Sequence, residues 1–187
     1  MAKVTLGILL LMTLAMQASL ADTYKVDPVH SSIVFRIKHL YVSSVLGRFN
    51  GPTGMVQYDQ AAPEKASFDV QVEAKNVDTG VAKRDAHLRT ADFFDVEKYP
   101  TIRFKSSAAK SAGENTIQVT GYITLHGVTK PITVTLKHTG TGQDPKGGVL
   151  SGFETEFTIN RAEYGMKSAT GVGDEVKLMI SLEVGKQ

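Results

Sequence analysis

Five histidines, at positions 30, 39, 87, 126 and 138, together with carboxylates and hydroxyls, carry all the side-chain chemistry open to this chain, which has no Cys. Without thiols there is no disulfide framework, no thiolate nucleophile and no zinc site built on sulfur. His30 and His39 are the one close pair of histidines, and they lie an odd number of positions apart. Along a regular strand that spacing puts them on opposite faces, so they cannot chelate one ion. His30-Ser31 looks like a base beside a nucleophile, but strand neighbours point in opposite directions, and a working pair needs hydrogen-bond contact and an orienting third group. These two residues are read as closing the turn before a strand. The densest polar cluster is Arg84-Asp85-Ala86-His87-Leu88-Arg89, followed by Asp92-Phe93-Phe94-Asp95. It suits either a charged rim over a barrel mouth, holding a polar or anionic headgroup through Arg84, His87 or Arg89, or a helix docked by ion pairs and by the two Phe; the second is favoured. Thr170-Gly171-Val172-Gly173-Asp174 lacks the third glycine and the following helix of a phosphate loop, and reads as a turn entering a strand. Arg161 beside Glu163 or Asp174 is a candidate buried pair.

The elements that position these residues are mostly strands. From Ser31, period-two alternation puts Ile33, Phe35, Ile37 and His39 on one face and Val34, Arg36 and Lys38 on the other, the pattern of a half-buried strand. It recurs in Ala66 to Ala74, Ile102-Phe104, Ile117 to Leu125, Ile132 to His138, Phe153 to Ile159 and Val176 to Val184. A leading strand from Tyr24 to Asp27 and a glycine-interrupted one from Gly47 to Asp59 bring the expectation to about eight or nine antiparallel strands. Between Asp78 and Val96 the spacing changes to three and four, at Val81, Arg84, Asp85 and Leu88, predicting a short helix with Asp78 or Thr79 as N-cap.

Met1-Ala2-Lys3, the apolar run Val4 to Met16 and Ser19-Leu20-Ala21 have the form of a secretory signal peptide, cut after Ala21. The expected organisation is a signal peptide over 1–21 and one domain over 22–187, exported to the periplasm. Lys and Arg total 21 against 19 Asp and Glu, a formal charge of +2 with no long basic block, which argues against nucleic acid as a partner and against polybasic membrane anchoring.

An amphipathic sheet of this size must hide its apolar face in a sandwich or a closed barrel. An eight-stranded barrel either fills with side chains or holds one small ligand. The inward stripe mixes Phe and aliphatics with Ala66, Ala74, Ser106, Gly121 and Thr155, which leaves filled and hollow forms open. Five linked motifs resemble the YceI-like family: Asp27-Pro28-x-His30-Ser31 running to His39-Leu40; Arg84-Asp85-x-His87-Leu88-Arg89 running to Tyr99-Pro100; Leu125 to Pro131; Ile159-Asn160-Arg161 with Tyr164-Gly165; and Gly173 to Val176. Tyr122, where the family more often has a small polar residue, is a departure and should face outward.

The resemblance implies an all-β fold, an extended eight-stranded antiparallel lipocalin-like β-barrel with one short helix. It also implies a periplasmic or secreted protein that binds polyisoprenoids, isoprenoid quinones or similar long-chain amphiphiles in a tunnel, without catalysis, metal or cofactor. The expected wall is Ile33, Phe35, Ile37, Phe49, Phe68, Val70, Phe104, Leu125, Phe153, Phe157, Leu178 and Ile180, with His39, His87 and Arg89 as headgroup candidates; His39 reads equally well as a satisfied interior histidine. Further expectations are a homodimer, on base rates, and a membrane quinone or cytochrome partner, although the chain has no haem-attachment motif. The competing readings are a filled barrel serving as a stress-response or protein-interaction module, and an enzyme acting on such lipids.

Overall fold

A computed structural model describes residues 21–166 and 169–187. The expected signal peptide, 1–21, lies outside the described residues except for Ala21. The elements are β1 (Asp22–Val26), β2 (Ser32–His39), β3 (Ser43–Phe49), β4 (Thr53–Tyr58), β5 (Ser67–Glu73), β6 (Val77–Asp78), α1 (Ala82–Leu88), β7 (Thr101–Gly113), β8 (Thr116–Leu125), β9 (Val128–Gln143), β10 (Val149–Asn160) and β11 (Val172–Lys186).

All the pairings are antiparallel, and the sheet closes on itself through β1 against β11. Three pairs of short strands act as three bent ones. β1 and β2 are separated by the turn at Pro28, β3 and β4 by Asn50-Gly51-Pro52, and β5 and β6 by a 3-10 turn at Ala74–Asn76. One half of each bent strand serves one end of the barrel and the remaining half the other end. At one end β11 pairs with β1, β1 with β4 and β4 with β5. At the other end β11 pairs with β2, β2 with β3 and β3 with β6. With the continuous strands β7 to β11, this makes the expected closed eight-stranded barrel with one helix.

Two of the expected strands differ in detail. The strand from Gly47 to Asp59 is broken, because Gly51 turns the chain at φ +69° and Pro52 follows it with no amide hydrogen for the ladder. The strand around Ile102-Phe104 runs on to Gly113. A bulge between Ser106 and Ala108 moves the inward positions from 102, 104 and 106 to 109, so the alternation is lost while the pairing with β8 continues.

The helix is also capped differently from expectation. Its N-cap is Val81, which offers no side-chain acceptor, while Asp78 accepts from the Gly80 amide. Asp85, inside the helix and buried, reaches back to accept from the amide (2.9 Å) and hydroxyl (2.5 Å) of Thr79. A carboxylate near the start of the helix is favoured by the helix dipole.

Candidate functional site

The barrel interior is divided along its length. At the end served by β1 and β4 it is solid, with Val26, Val56, Tyr58, Phe68, Ile117, Val119, Phe153 and Val184 buried in one cluster. Tyr58 and Phe68 meet the Phe153 ring edge-on at 5.0 and 5.3 Å. At the end served by β2 and β3 the inward side chains stop short of one another and enclose a cavity of about 550 Å³. That volume lies within the roughly 300–1,000 Å³ of small-molecule sites.

β2 supplies Ile33, Phe35, Ile37 and His39 to the wall, β5 supplies Phe68 and Val70, β11 supplies Leu178 and Ile180, and Phe49, Phe104, Leu125 and Phe157 complete the predicted set on it. The ladder registers explain the assembly: Ile33 stands opposite Phe49 on β3 and Ile180 on β11, and Phe35 opposite Gly47 and Leu178. Two rings are seated by glycine. A Cβ on Gly47 would clash with Cζ of Phe35, and one on Gly121 would lie 2.7 Å from Cζ of Phe104. Each glycine lets an aromatic ring approach the neighbouring strand more closely than a Cβ would allow.

Two predicted site residues are not on this wall. Phe153 faces inward but belongs to the solid end, 1% exposed between Tyr58, Phe68 and His138. Arg89 turns away from the cavity and donates to the carbonyls of Lys75 (2.7 Å) and Val77 (2.9 Å), tying the helix to the 74–77 segment. Of the charged cluster, Arg84 and His87 do line the opening, and Arg84 also donates to the hydroxyl (2.7 Å) and carbonyl (2.9 Å) of Thr79. His39 is exposed at the mouth rather than satisfied inside.

The wall also includes residues that sequence reasoning did not select. Ile102 and Ile123 lie on inward stripes of the sequence pattern, and Val45 lies one step of the alternation before Gly47. Phe93 and Phe94, expected to anchor the helix, both line the cavity, and Phe94 also packs edge-on against Phe49 at 5.3 Å. Met166 follows a left-handed turn at Gly165, where no periodicity announces it.

Several motif residues build the rim. Arg161, buried, donates to the carbonyls of Gly173 (2.9 Å) and Val172 (3.3 Å) and pairs with Asp174 at 3.0 Å. It thereby fixes a bulge, since β11 advances from Val172 to Val176 while β2 moves only from His39 to Ile37. Glu163, the other partner considered, pairs instead with Lys130 at 3.0 Å. His126 occupies the β8–β9 turn at φ +51°, lies 4.6 Å from the Tyr99 ring and donates from Nδ1 to the Tyr164 carbonyl. Tyr122 is exposed, as expected.

His30 and Ser31 close a turn, as read from the sequence. Nδ1 of His30 donates to Asp27 (3.0 Å), while Ser31 Oγ donates to the Glu183 carbonyl and accepts from the Glu183 amide. Asp27, His30 and Glu183 have ligand atoms within 4.8 Å of one another, and their mutual pairing accounts for the grouping. The Asp27 hydrogen bond raises the His30 pKa, and the same contact lowers that of Asp27. A serine and a histidine do meet elsewhere: Ser151 Oγ lies 2.9 Å from Nε2 of His138. Both are buried in the solid end, outside the cavity, and burial holds the His138 pKa below its ordinary value. The pair satisfies polar groups inside a packed core.

Comparison with known proteins gives one consistent picture. The YceI-like domain family matches residues 24–184. A UPF0312 protein of Pseudomonas putida (strain W619) is 39% identical over the full length of both chains. One from Pseudomonas aeruginosa (strain UCBPP-PA14) is 42% identical, covering 89% of this chain and 88% of its own. Among solved structures, the Campylobacter jejuni YceI protein superposes with a TM-score of 0.72 at 28% identity, covering 80% of this chain and 90% of its own. A polyisoprenoid binding domain from Saccharophagus degradans shares the fold, with a TM-score of 0.69 at 17% identity over 90% of this chain and 100% of its own.

Proposed function

The chain belongs to the YceI-like family, and from that premise and its half-hollow barrel we propose that it binds and carries long-chain amphiphiles, polyisoprenoid lipids or isoprenoid quinones, in the periplasm without altering them covalently. The observation that carries this reading is the apolar cavity of about 550 Å³, and the Saccharophagus relative named for polyisoprenoid binding supports the ligand class. Delivery would be by the signal peptide, cut after Ala21. A homodimer and a membrane quinone or cytochrome partner are further parts of the proposal.

The energetics select by tail length. Each five-carbon isoprene unit brings on the order of 3 kcal/mol of gross burial, against an association cost of about 4–15 kcal/mol. A single unit would bind poorly, whereas several would bind tightly with only loose contacts to the head from Lys38, His39 or His87 at the opening. The buried Ser151–His138 pair lends little to an enzymatic alternative, because it lies outside the cavity.

The test is native mass spectrometry of protein purified from its own periplasm, followed by organic extraction. A stoichiometric long-chain lipid or quinone supports the proposal and names the ligand. An empty protein that also takes up no prenyl alcohol of any length would defeat it.

A further inference from the structure

The rim of the cavity carries a surface that lipid binding inside the barrel leaves unexplained. The β2–β3 hairpin turns through Leu40 and Tyr41, at φ +49° and +59°, and the Val42 amide returns to the His39 carbonyl. Two consecutive central residues at positive φ make a type I′ turn, a geometry that normally takes Asn-Gly or another small polar pair. Here bulky apolar residues hold it, and they stand in water: Leu40 is 57% exposed and Tyr41 and Val42 are each 82% exposed. Strain and apolar exposure at one point work against both stability and solubility, a combination that marks a functional surface.

Its position says which. His39, immediately before the tip, lines the cavity; the Leu40 amide donates to the Gly171 carbonyl (2.6 Å), and Ala169, Thr170 and Val172 line the same opening. Lys38 and Arg84 add positive charge there. An apolar point with an aromatic ring and flanking cations is the chemistry of a lipid–water interface.

We propose that the Leu40–Val42 hairpin tip inserts into the surface of a lipid bilayer carrying anionic headgroups, setting the cavity mouth against the membrane. The inference rests on the reading of the cavity as a lipid site: docked this way, a long tail passes between bilayer and barrel without crossing water.

The test uses residues 22–187, which hold every strand of the closed sheet, with sedimentable phosphatidylcholine–phosphatidylglycerol vesicles. The parent protein is expected to co-sediment. The L40N/Y41G variant gives the turn its preferred residues, so its Tm should be equal or higher while its vesicle partitioning falls by at least about tenfold. Because the chain has no Trp, Y41W places a single indole at the tip, and its emission should shift to the blue on vesicle addition. Unchanged partitioning of L40N/Y41G, or unshifted emission of Y41W, overturns the proposal. So does a dimer that L40N/Y41G dissolves without any change in vesicle binding, since the tip would then be a subunit contact. Prenyl alcohol binding measured without vesicles separates the two readings. Tip-dependent docking by a protein that takes up no prenyl alcohol upholds the docking and defeats the cavity reading, whereas uptake without tip-dependent docking does the reverse.

Discussion

Replacing Gly47 with alanine should separate ligand affinity from fold stability. Gly47 needs no positive φ, so the backbone accepts alanine, and removing glycine from a strand favours the folded state by about 0.5–1 kcal/mol. The new Cβ, however, would lie 2.7 Å from Cε1 of Phe35 and 2.8 Å from Cγ2 of Thr79, and closer still to Phe35 Cζ. Carbon atoms rest about 3.5–4.0 Å apart, so the Phe35 ring must move by roughly an ångström. In a filled barrel that shift would be overpacking, at about 1–3 kcal/mol of stability. Here the ring borders the cavity and can swing into it. The apo protein should therefore unfold within about 1 kcal/mol of the parent, while a bound chain loses room. Excluding about two methylenes costs about 1.6 kcal/mol, close to a 15-fold rise in Kd for the longest prenyl alcohol that binds. Urea unfolding gives the first quantity and competition binding the second. Stability falling by about 3 kcal/mol with affinity unchanged would show that Phe35 is wedged in a solid core, and the hollow half would be refuted.

Arg89→Ala should leave prenyl affinity within about twofold while destabilising the protein by about 1 kcal/mol in urea, because it removes two hydrogen bonds to partly solvated carbonyls. Arg161→Met should cost more, about 1–3 kcal/mol, because it removes the guanidinium that donates to the carbonyls of the β11 bulge and leaves Asp174 without its ion-pair partner. Two histidines should give stability opposite pH slopes. The raised His30 pKa, due first to Asp27, adds stability that is full below the unfolded value of about 6.5 and is lost as pH rises through the folded pKa. The lowered His138 pKa, due to burial, adds stability that is full above about 6.5 and is lost as pH falls toward the folded pKa. In Tm measured against pH, His30→Asn should steepen the rise with pH and His138→Gln should flatten it; the reverse pattern would refute the assignment. For Asp27 the sign follows its lowered pKa: its contribution is present above about 3.9 and disappears as pH falls through the folded value.

The barrel was legible because each antiparallel strand shows one face to the interior and one to water, so period two survives in β2 and β8 with little disturbance. It failed where the ladder itself slips, at the β7 bulge and at Pro52. The site was legible as a stripe but not as a boundary. Phe153 and Phe157 sit four residues apart on the same face of β10, yet one is sealed in the solid end and the other lines the cavity. Nothing local to β10 distinguishes them, because the difference lies in what arrives from across the barrel. Arg84, in the short helix, and Arg89, its C-cap, differ in the same way, one at the opening and the other fastened to the 74–77 backbone.

A barrel left hollow at one end lacks the cross-barrel contacts that would otherwise hold its strands together there. Arg84, Arg89 and Arg161 supply a substitute, since each donates to main-chain carbonyls near the open end, at Thr79, at Lys75 and Val77, and at Val172 and Gly173. A guanidinium suits this role because its planar fork offers several donors in fixed directions. Side-chain bonds to the backbone keep the rim in place without filling the interior, which leaves the wall free to be apolar. This explains why the charged motif residues contribute little to the wall. They hold the opening, and the selection of a ligand falls to aliphatic and aromatic side chains that resemble any core until their neighbours are found to be missing.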